Sequence, residues 1–308
     1  MAILPLPPSG SLPPVVRRLG LRDEGRIGRW LATHPAEFSF VAGWLHSHGV
    51  LPTALEERFE FLGVGEGDAL EAVALTIGGA FTALATHDPV VARAFAAHQR
   101  RDGAVARAVQ GPRPAVNAYV EEHQATGPAL RVVAVPQHIR LLQSRDLRYV
   151  PCPGLRLATV FDAEDLLQAS LAMHAEELGE RIPEREVDAY RAGLVQQIAA
   201  ERMWCLRDPI DGRLQFKVAI AASAPQVALV EGIYTAPGCR RRGIARAATA
   251  ELARLLLSRH EQVALHARDE NAAATRLYGT LGFRTVAESM LVLLRADGGS
   301  GGGGVTWG

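Results

Sequence analysis

Between Met203 and Thr235 three strand-like runs follow one another, "MWCLRD", "RLQFKVAIAAS" and "QVALVEGIYT", parted only by turns at "PIDG" and "SAP". Runs this close pair as an antiparallel meander. The period then changes. "IYTAPGCRRRGIARA", Ile233 to Ala247, passes through Pro-Gly into three arginines and a glycine, after which Ile244, Ala248, Leu252, Leu255 and Leu256 recur at helical spacing. A strand, "LRLATVF", and two amphipathic helical segments precede the meander. Asp162 is the expected N-cap of the first, "AEDLLQASLAMHAEELG", whose Leu166, Leu167, Leu171 and Leu178 share a face and whose Gly179 marks the stop. The second is "EREVDAYRAGLVQQIAAER". After the arginine-led helix come a strand, "QVALHA", a helix, "NAAATRLYGTLG", ending at Gly282, and a closing strand, "FRTVAESMLVLLR". The order β-α-α-β-β-β-α-β-α-β predicts an α/β fold, a mixed sheet flanked by helices.

The residues before the join "YVPCPG", Tyr149 to Gly154, are less regular. "RIGRWLATHPAEFSFVAGWLHSHG" reads as two helical pieces, "AVALTIGGAFTALATH" as strands and "PRPAVNAYVEEH" as a short helix. With 308 residues, 48% of them hydrophobic, the chain has material for two cores. Domains are therefore expected at 15–150 and 155–296. "MAILPLPPSGSLPP" at 1–14 reads as a flexible leader without the basic start of a signal peptide, and 297–308 as a flexible Gly-rich tail. No run of about 18 apolar residues occurs, so no membrane span is expected.

Lys+Arg equals Asp+Glu at 33 each, which argues against a nucleic-acid or membrane partner and makes any basic patch local. Lys217 is the only lysine. The remaining cations are arginines, which suit phosphate oxygens but cannot serve as amine nucleophiles, so lysine covalent catalysis is not expected. Cys152, Cys205 and Cys239 lie far apart with no CxxC pair, which predicts a reduced, cytoplasmic setting and no zinc or other metal site. His46 and His48 sit in a helical pattern where positions two apart diverge, and Trp30, Phe38, Phe40 and Trp44 are expected in a core.

The arginine-rich handover carries the chemistry. A strand running through a tight turn into a helix leaves unpaired N–H groups at the positive helix end. A glycine there lets main chain approach a phosphate, and arginines neutralise it. The GxxxxGK[ST] and GxGxxG phosphate loops are absent, and "GVGEG", Gly63 to Gly67, has the wrong spacing and reads as a turn.

Arg240-x-x-Gly243-x-Ala245 resembles the [Q/R]xxGx[G/A] pyrophosphate loop of the GNAT N-acetyltransferase superfamily. "DENAAATRLYGTLGF" supplies Asn271, Leu277, Tyr278, Leu281, Gly282 and Phe283 at the spacing of that superfamily's next helix. The resemblance spans Leu155 to Arg295. It implies a GNAT fold in the second half and, in the first, the degenerate acetyltransferase-like domain of two-domain bacterial proteins. In the first half "ARAVQGPRPAVNAY" is taken as the corresponding passage. It lacks the Arg-x-x-Gly-x-Ala pattern, and Pro112 and Pro114 remove N–H donors, so one acetyl-CoA site per chain is expected.

The resemblance further implies that main-chain groups of Ile233 and Thr235 pair with the pantetheine arm, and that amides from Arg240, Arg241, Arg242, Gly243, Ile244 and Ala245 hold the pyrophosphate. Arg240 is the motif position, whereas Arg241 is equally readable as surface charge. Tyr278 is either the general acid for the thiolate or a core aromatic. Glu231 is a general base, a solvent-facing strand residue or a helper in binding. Asn271 holds the pantetheine, caps its helix, or does both. Cys239 is a bystander. The implied activity is direct transfer of acetyl from acetyl-CoA to a primary amine of a small molecule or peptide. Two alternatives stay open: a transferase for a longer acyl-CoA or an amino-acid acceptor, and a non-catalytic acyl-CoA sensor. Glu176, Glu177, Glu180, Glu184 and Glu186, on the two helices that set acceptor choice in the family, either draw a cationic amine or form a solvated helix face.

Overall fold

The computed structural model describes residues 14–53, 58–65, 69–103, 106–126, 130–179 and 181–296. Residues 1–13 of the expected leader, the tail at 297–308 and Glu180 lie outside them. The first half runs β1 (Arg17–Arg18), α1 (Glu24–Leu31), α2 (Ser39–His48), β2 (Phe59–Val64), β3 (Ala72–Ile77), β4 (Phe81–Ala85), α3 (Pro89–Arg101), β5 (Ala108–Pro112), α4 (Arg113–Thr126) and β6 (Leu130–Gln143). The second repeats that order with β7 (Arg156–Leu157), α5 (Ala163–Leu178), α6 (Glu184–Ala199), β8 (Met203–Arg207), β9 (Leu214–Ala224), β10 (Val227–Thr235), α7 (Ile244–Leu257), β11 (Gln262–Arg268), α8 (Ala272–Leu281) and β12 (Arg284–Ala296). Gly63 belongs to β2 rather than to a turn, and part of "GVGEG" lies outside the described residues.

Strand alternation sorts the core onto two faces. Phe59, Phe61, Val73, Leu75 and Phe81 pack against α1 and α2, whereas Leu62, Val64, Ala72, Ala74 and Leu84 pack against α3 and α4. In the second half α5 and α6 cover Met203, Cys205 and Ala219, and α7 and α8 cover Phe216, Val218, Ala228, Val230 and Val263.

All twelve strands form one sheet in the order β1-β2-β3-β4-β5-β12-β6-β11-β10-β9-β8-β7. Each half lends its last strand to the other: β12 lies between β5 and β6, and β6 lies between β11 and β12. Met290, Val292 and Leu294 of β12 therefore complete the core beneath α3 and α4, while Leu142 of β6 completes the one beneath α7 and α8. Helix α2 adds a further tie across β9. A Cβ on Gly43 would stand 2.5 Å from the Ala222 Cβ, so only glycine permits that approach.

The repeat extends to side chains. Arg17 and Arg26 bind Asp23, which also accepts from the Gly20 amide at 2.9 Å; Arg156 and Arg207 bind Asp162, which accepts from the Thr159 amide at 2.8 Å. Asp162 thus occupies the expected N-cap position of α5, but its carboxylate closes the short turn before the helix rather than capping it. The hydrogen bonds from Arg17 hold the Asp23 pKa down at about 2, and those from Arg156 hold Asp162 lower still.

Candidate functional site

β10 and β11 run parallel from Val227↔Gln262 to Val230↔Leu265, and there the pairing ends. β10 continues to Thr235 on β9 alone, while β11 continues to Arg268 on β6 alone. A wedge opens between them. The register on β9 shifts between Glu231 and Tyr234, at a bulge containing Gly232 with φ +62. Beyond it Tyr234 pairs with Lys217, and the Ala236 amide donates to the Gln215 carbonyl at 3.0 Å. Since alternate residues face opposite edges, the main-chain groups of Ile233 and Thr235 face the wedge.

The chain then turns at Pro237–Cys239, passes Arg241 at φ +60 and Gly243 at φ +80, and enters α7. No side chain caps α7. Its first-turn amides are left without intrahelical partners, with the positive end of the helix dipole behind them, which is the structure of an anion site. A Cβ on Gly243 would touch nothing within 4 Å. The left-handed backbone, not crowding by the protein, is what requires glycine.

The three arginines divide differently from expectation. Arg240 forks onto Glu176 of α5 at 2.9 and 2.8 Å, donates to the Thr235 carbonyl at 3.0 Å and lies over the Tyr234 ring, so its charge is already matched by a carboxylate. Arg241 lines the cleft that contains the wedge, whereas Arg242 does not; Arg246, which the motif did not mark, does.

That cleft, about 1630 Å³, is lined from both halves: Phe40, Gln110, Val135 and Gln137 from the first, Met173, Glu177, Tyr190 and Glu231 from the second. Burial pushes the Glu231 carboxyl up to about 7, with Glu177 adding and Lys217 opposing. Glu177 lies on an exposed helix position yet reaches into the cleft, where desolvation raises its pKa against the pull of Lys217 and Arg268. Lys217 is 3% exposed and is pushed down to about 8 by burial. Tyr278 is buried against Phe283, lines the cleft and is raised by burial, so its phenol stays protonated. The Asn271 side chain caps α8, accepting from the Ala274 amide at 2.9 Å, and also lines the cleft. Of the acidic helix residues, Glu176 is taken by Arg240, Glu177 and Glu186 line the cleft, and Glu184 does not.

The sequence pointed to Glu177 on acceptor grounds but not to Lys217, Arg246 or the first-half residues as parts of the same site. Lys217 had a signal: the chain's sole lysine, set between apolar neighbours in a strand.

The first half needs a correction. "ARAVQGPRPAVNAY" is β5 running into α4, the counterpart of β11 and α8. The counterpart of the arginine loop is Thr86–Asp88, between β4 and α3. There Asp88 accepts from the Val90 amide at 2.7 Å and Pro89 removes another donor. A carboxylate already fills the place an anion would take. Tyr119, like Tyr278, is the seventh residue of its helix; it is 1% exposed, donates to Gln99 and is pushed up to about 12 by burial.

Among the described residues no helix is long and apolar enough to cross a membrane. None of the curated proteins compared with the chain matches it. The FR47-like protein family matches residues 211–292. Among solved structures, a Drosophila protein aligns at TM-score 0.67 and 11% identity over 91% of this chain and 98% of its own. A tandem GNAT protein from the clavulanic acid biosynthesis pathway aligns at 0.51 and 14% identity, covering 93% and 99% of the two chains. A GCN5-related N-acetyltransferase from Sphaerobacter thermophilus aligns at 0.51 and 14%, covering 90% and 94%. Repeat, wedge and likeness define a tandem GNAT fold. The whole chain thus has the fold of a tandem GNAT protein, and residues 211–292 of its second half also match the FR47-like family in sequence.

Proposed function

We propose that the chain is an acyl-CoA-dependent N-acyltransferase that moves an acetyl group to a primary amine by direct attack within a ternary complex. The observation that carries this reading is the wedge between β10 and β11, which leads from the uncapped start of α7 to the partly buried Glu231. The residues fit the co-substrate: Gly243, Ile244 and Ala245 offer amides to a pyrophosphate with Arg241 and Arg246 beside them, and Ile233 and Thr235 offer a strand edge to a pantetheine amide.

The thioester supplies an acyl carbon with a good leaving group. Glu231, as carboxylate, takes a proton from the incoming ammonium. An amide at the β10 edge faces the carbonyl oxygen as negative charge grows there. Tyr278 gives its proton to the departing thiolate, and the second proton shed by the nitrogen restores the phenol. The free Cys152, Cys205 and Cys239 support a cytoplasmic setting.

A longer acyl donor is favoured by one observation: apolar Phe40, Val135, Leu291 and Leu293 also line the cleft. The sensor alternative is disfavoured by Tyr278 and Glu231 both lining that cleft. Thiol release from acetyl-, hexanoyl- and decanoyl-CoA, each tested against alkylamines, amino acids and peptides, decides. Turnover with acetyl-CoA and an amine supports the reading; CoA binding without turnover for any pair contradicts it.

A further inference from the structure

We propose that Lys217 is itself an acyl acceptor, so that without an amine substrate the chain transfers an acyl group from acyl-CoA to its own Lys217 Nζ. This rests on the acyl-CoA reading above. Lys217 is the only primary side-chain amine in the sequence, and it lies in the wall of the reacting cleft. Its β9 position pairs with Tyr234, one residue past Ile233, the first group of β10 that faces the wedge beyond the bulge. Nζ donates to the Gly232 carbonyl at 3.2 Å and touches the Met173 Sδ at 3.7 Å. Glu231 and Glu177 act on it only through space.

A buried ammonium held by one carbonyl and a thioether is poorly compensated, so it gives up its proton readily. A desolvated neutral amine is a nucleophile. Arginine, which supplies every other side-chain cation, stays charged and takes no acyl group under these conditions.

The step balances without a further reagent. The Nζ lone pair attacks the thioester carbonyl carbon, the N–C bond forms, and the C–S bond breaks with its electron pair leaving on sulfur. The proton lost from nitrogen passes to the Glu231 carboxylate, and the thiolate takes one from Tyr278. The products are an amide on Lys217 and free CoA thiol. The acylated side chain has lost its charge and fills cleft volume next to Glu231, so the modification limits the enzyme when acceptor is scarce.

The test uses the full chain with acetyl-CoA and no acceptor, read by intact mass and peptide mapping, with CoA binding measured in parallel by calorimetry. Expected is one acetyl group per chain, mapped to Lys217 and absent from Lys217→Arg. Its initial rate should rise about tenfold from pH 7 to pH 9 as an amine of pKa about 8 loses its proton. Excess desulfo-CoA should suppress it. CoA binding with Lys217 left unmodified at pH 9, or modification that survives desulfo-CoA, overturns the proposal and leaves the transferase reading standing. No CoA binding at all overturns both.

Discussion

Two strand-to-helix passages occupy equivalent places in the two halves, and only one is open. After β4, Asp88 and Pro89 close the start of α3 from within: one supplies a carboxylate to a first-turn amide, the other lacks an amide. After β10, Gly243 starts α7 with no side chain on its amides. The same contrast recurs one helix later, where Tyr119 is sealed onto Gln99 and Tyr278 opens to the cleft. A duplicated fold thus keeps its packing and loses a site by two local changes, a cap and a hydrogen bond, with no rearrangement of the sheet.

The largest effects should fall equally on both halves, because the Arg–Asp turns are shared scaffold. Asp23→Asn and Asp162→Asn each remove a buried carboxylate that two partly exposed arginines share and should cost about 2 kcal/mol by denaturant titration. A loss confined to one half would break the symmetry. These carboxylates have lowered pKa values in the fold, so their contribution is present above the ordinary 3.8 and is lost as pH falls toward about 2 for Asp23. Next in size is the tyrosine pair. Tyr278→Phe should lower kcat about 100-fold with CoA affinity unchanged, whereas Tyr119→Phe should leave kcat alone and reduce stability by about 1 kcal/mol. Equal kinetic effects would sink the assignment of Tyr278.

The pH profile is a subtler separator. Glu231 must be ionised to take a proton, so kcat/KM should rise through about pH 7, and Glu231→Gln should flatten that limb. A limb that persists in the variant points to another base. The smallest effect belongs to the closed passage: Asp88→Ala should cost about 1 kcal/mol of stability. It should not create a second CoA site, because Pro89 still removes a donor.

The meander, the arginine loop and α8 were legible because each is written in strong local signals: close-set turns, Pro-Gly, and Gly179 and Gly282 as stops. β6 was not, since Pro136 in mid-run argues against a strand. It is tolerated where β11 has just ended: the Pro136 carbonyl takes the Asp269 amide at 3.1 Å, and the edge the missing N–H would face has no strand left to pair. The strand exchange was illegible for a deeper reason. Local pattern gives the order of elements along the chain, not which strand lies beside which, and so it could not put Gln110 next to His266 at 2.7 Å. The same blindness misaligned the first-half passage, which counting elements through β6 would have corrected.

One open passage per chain means one CoA site per chain, and the stoichiometry of CoA binding tests that directly. Calorimetry of the full chain should give one CoA per chain. Gly243→Val, which forces a β-branched residue into left-handed backbone, should weaken that binding at least about tenfold while the Asp88→Ala chain still binds one. Two CoA molecules per chain, or one that binds Gly243→Val as tightly as the parent, would contradict it.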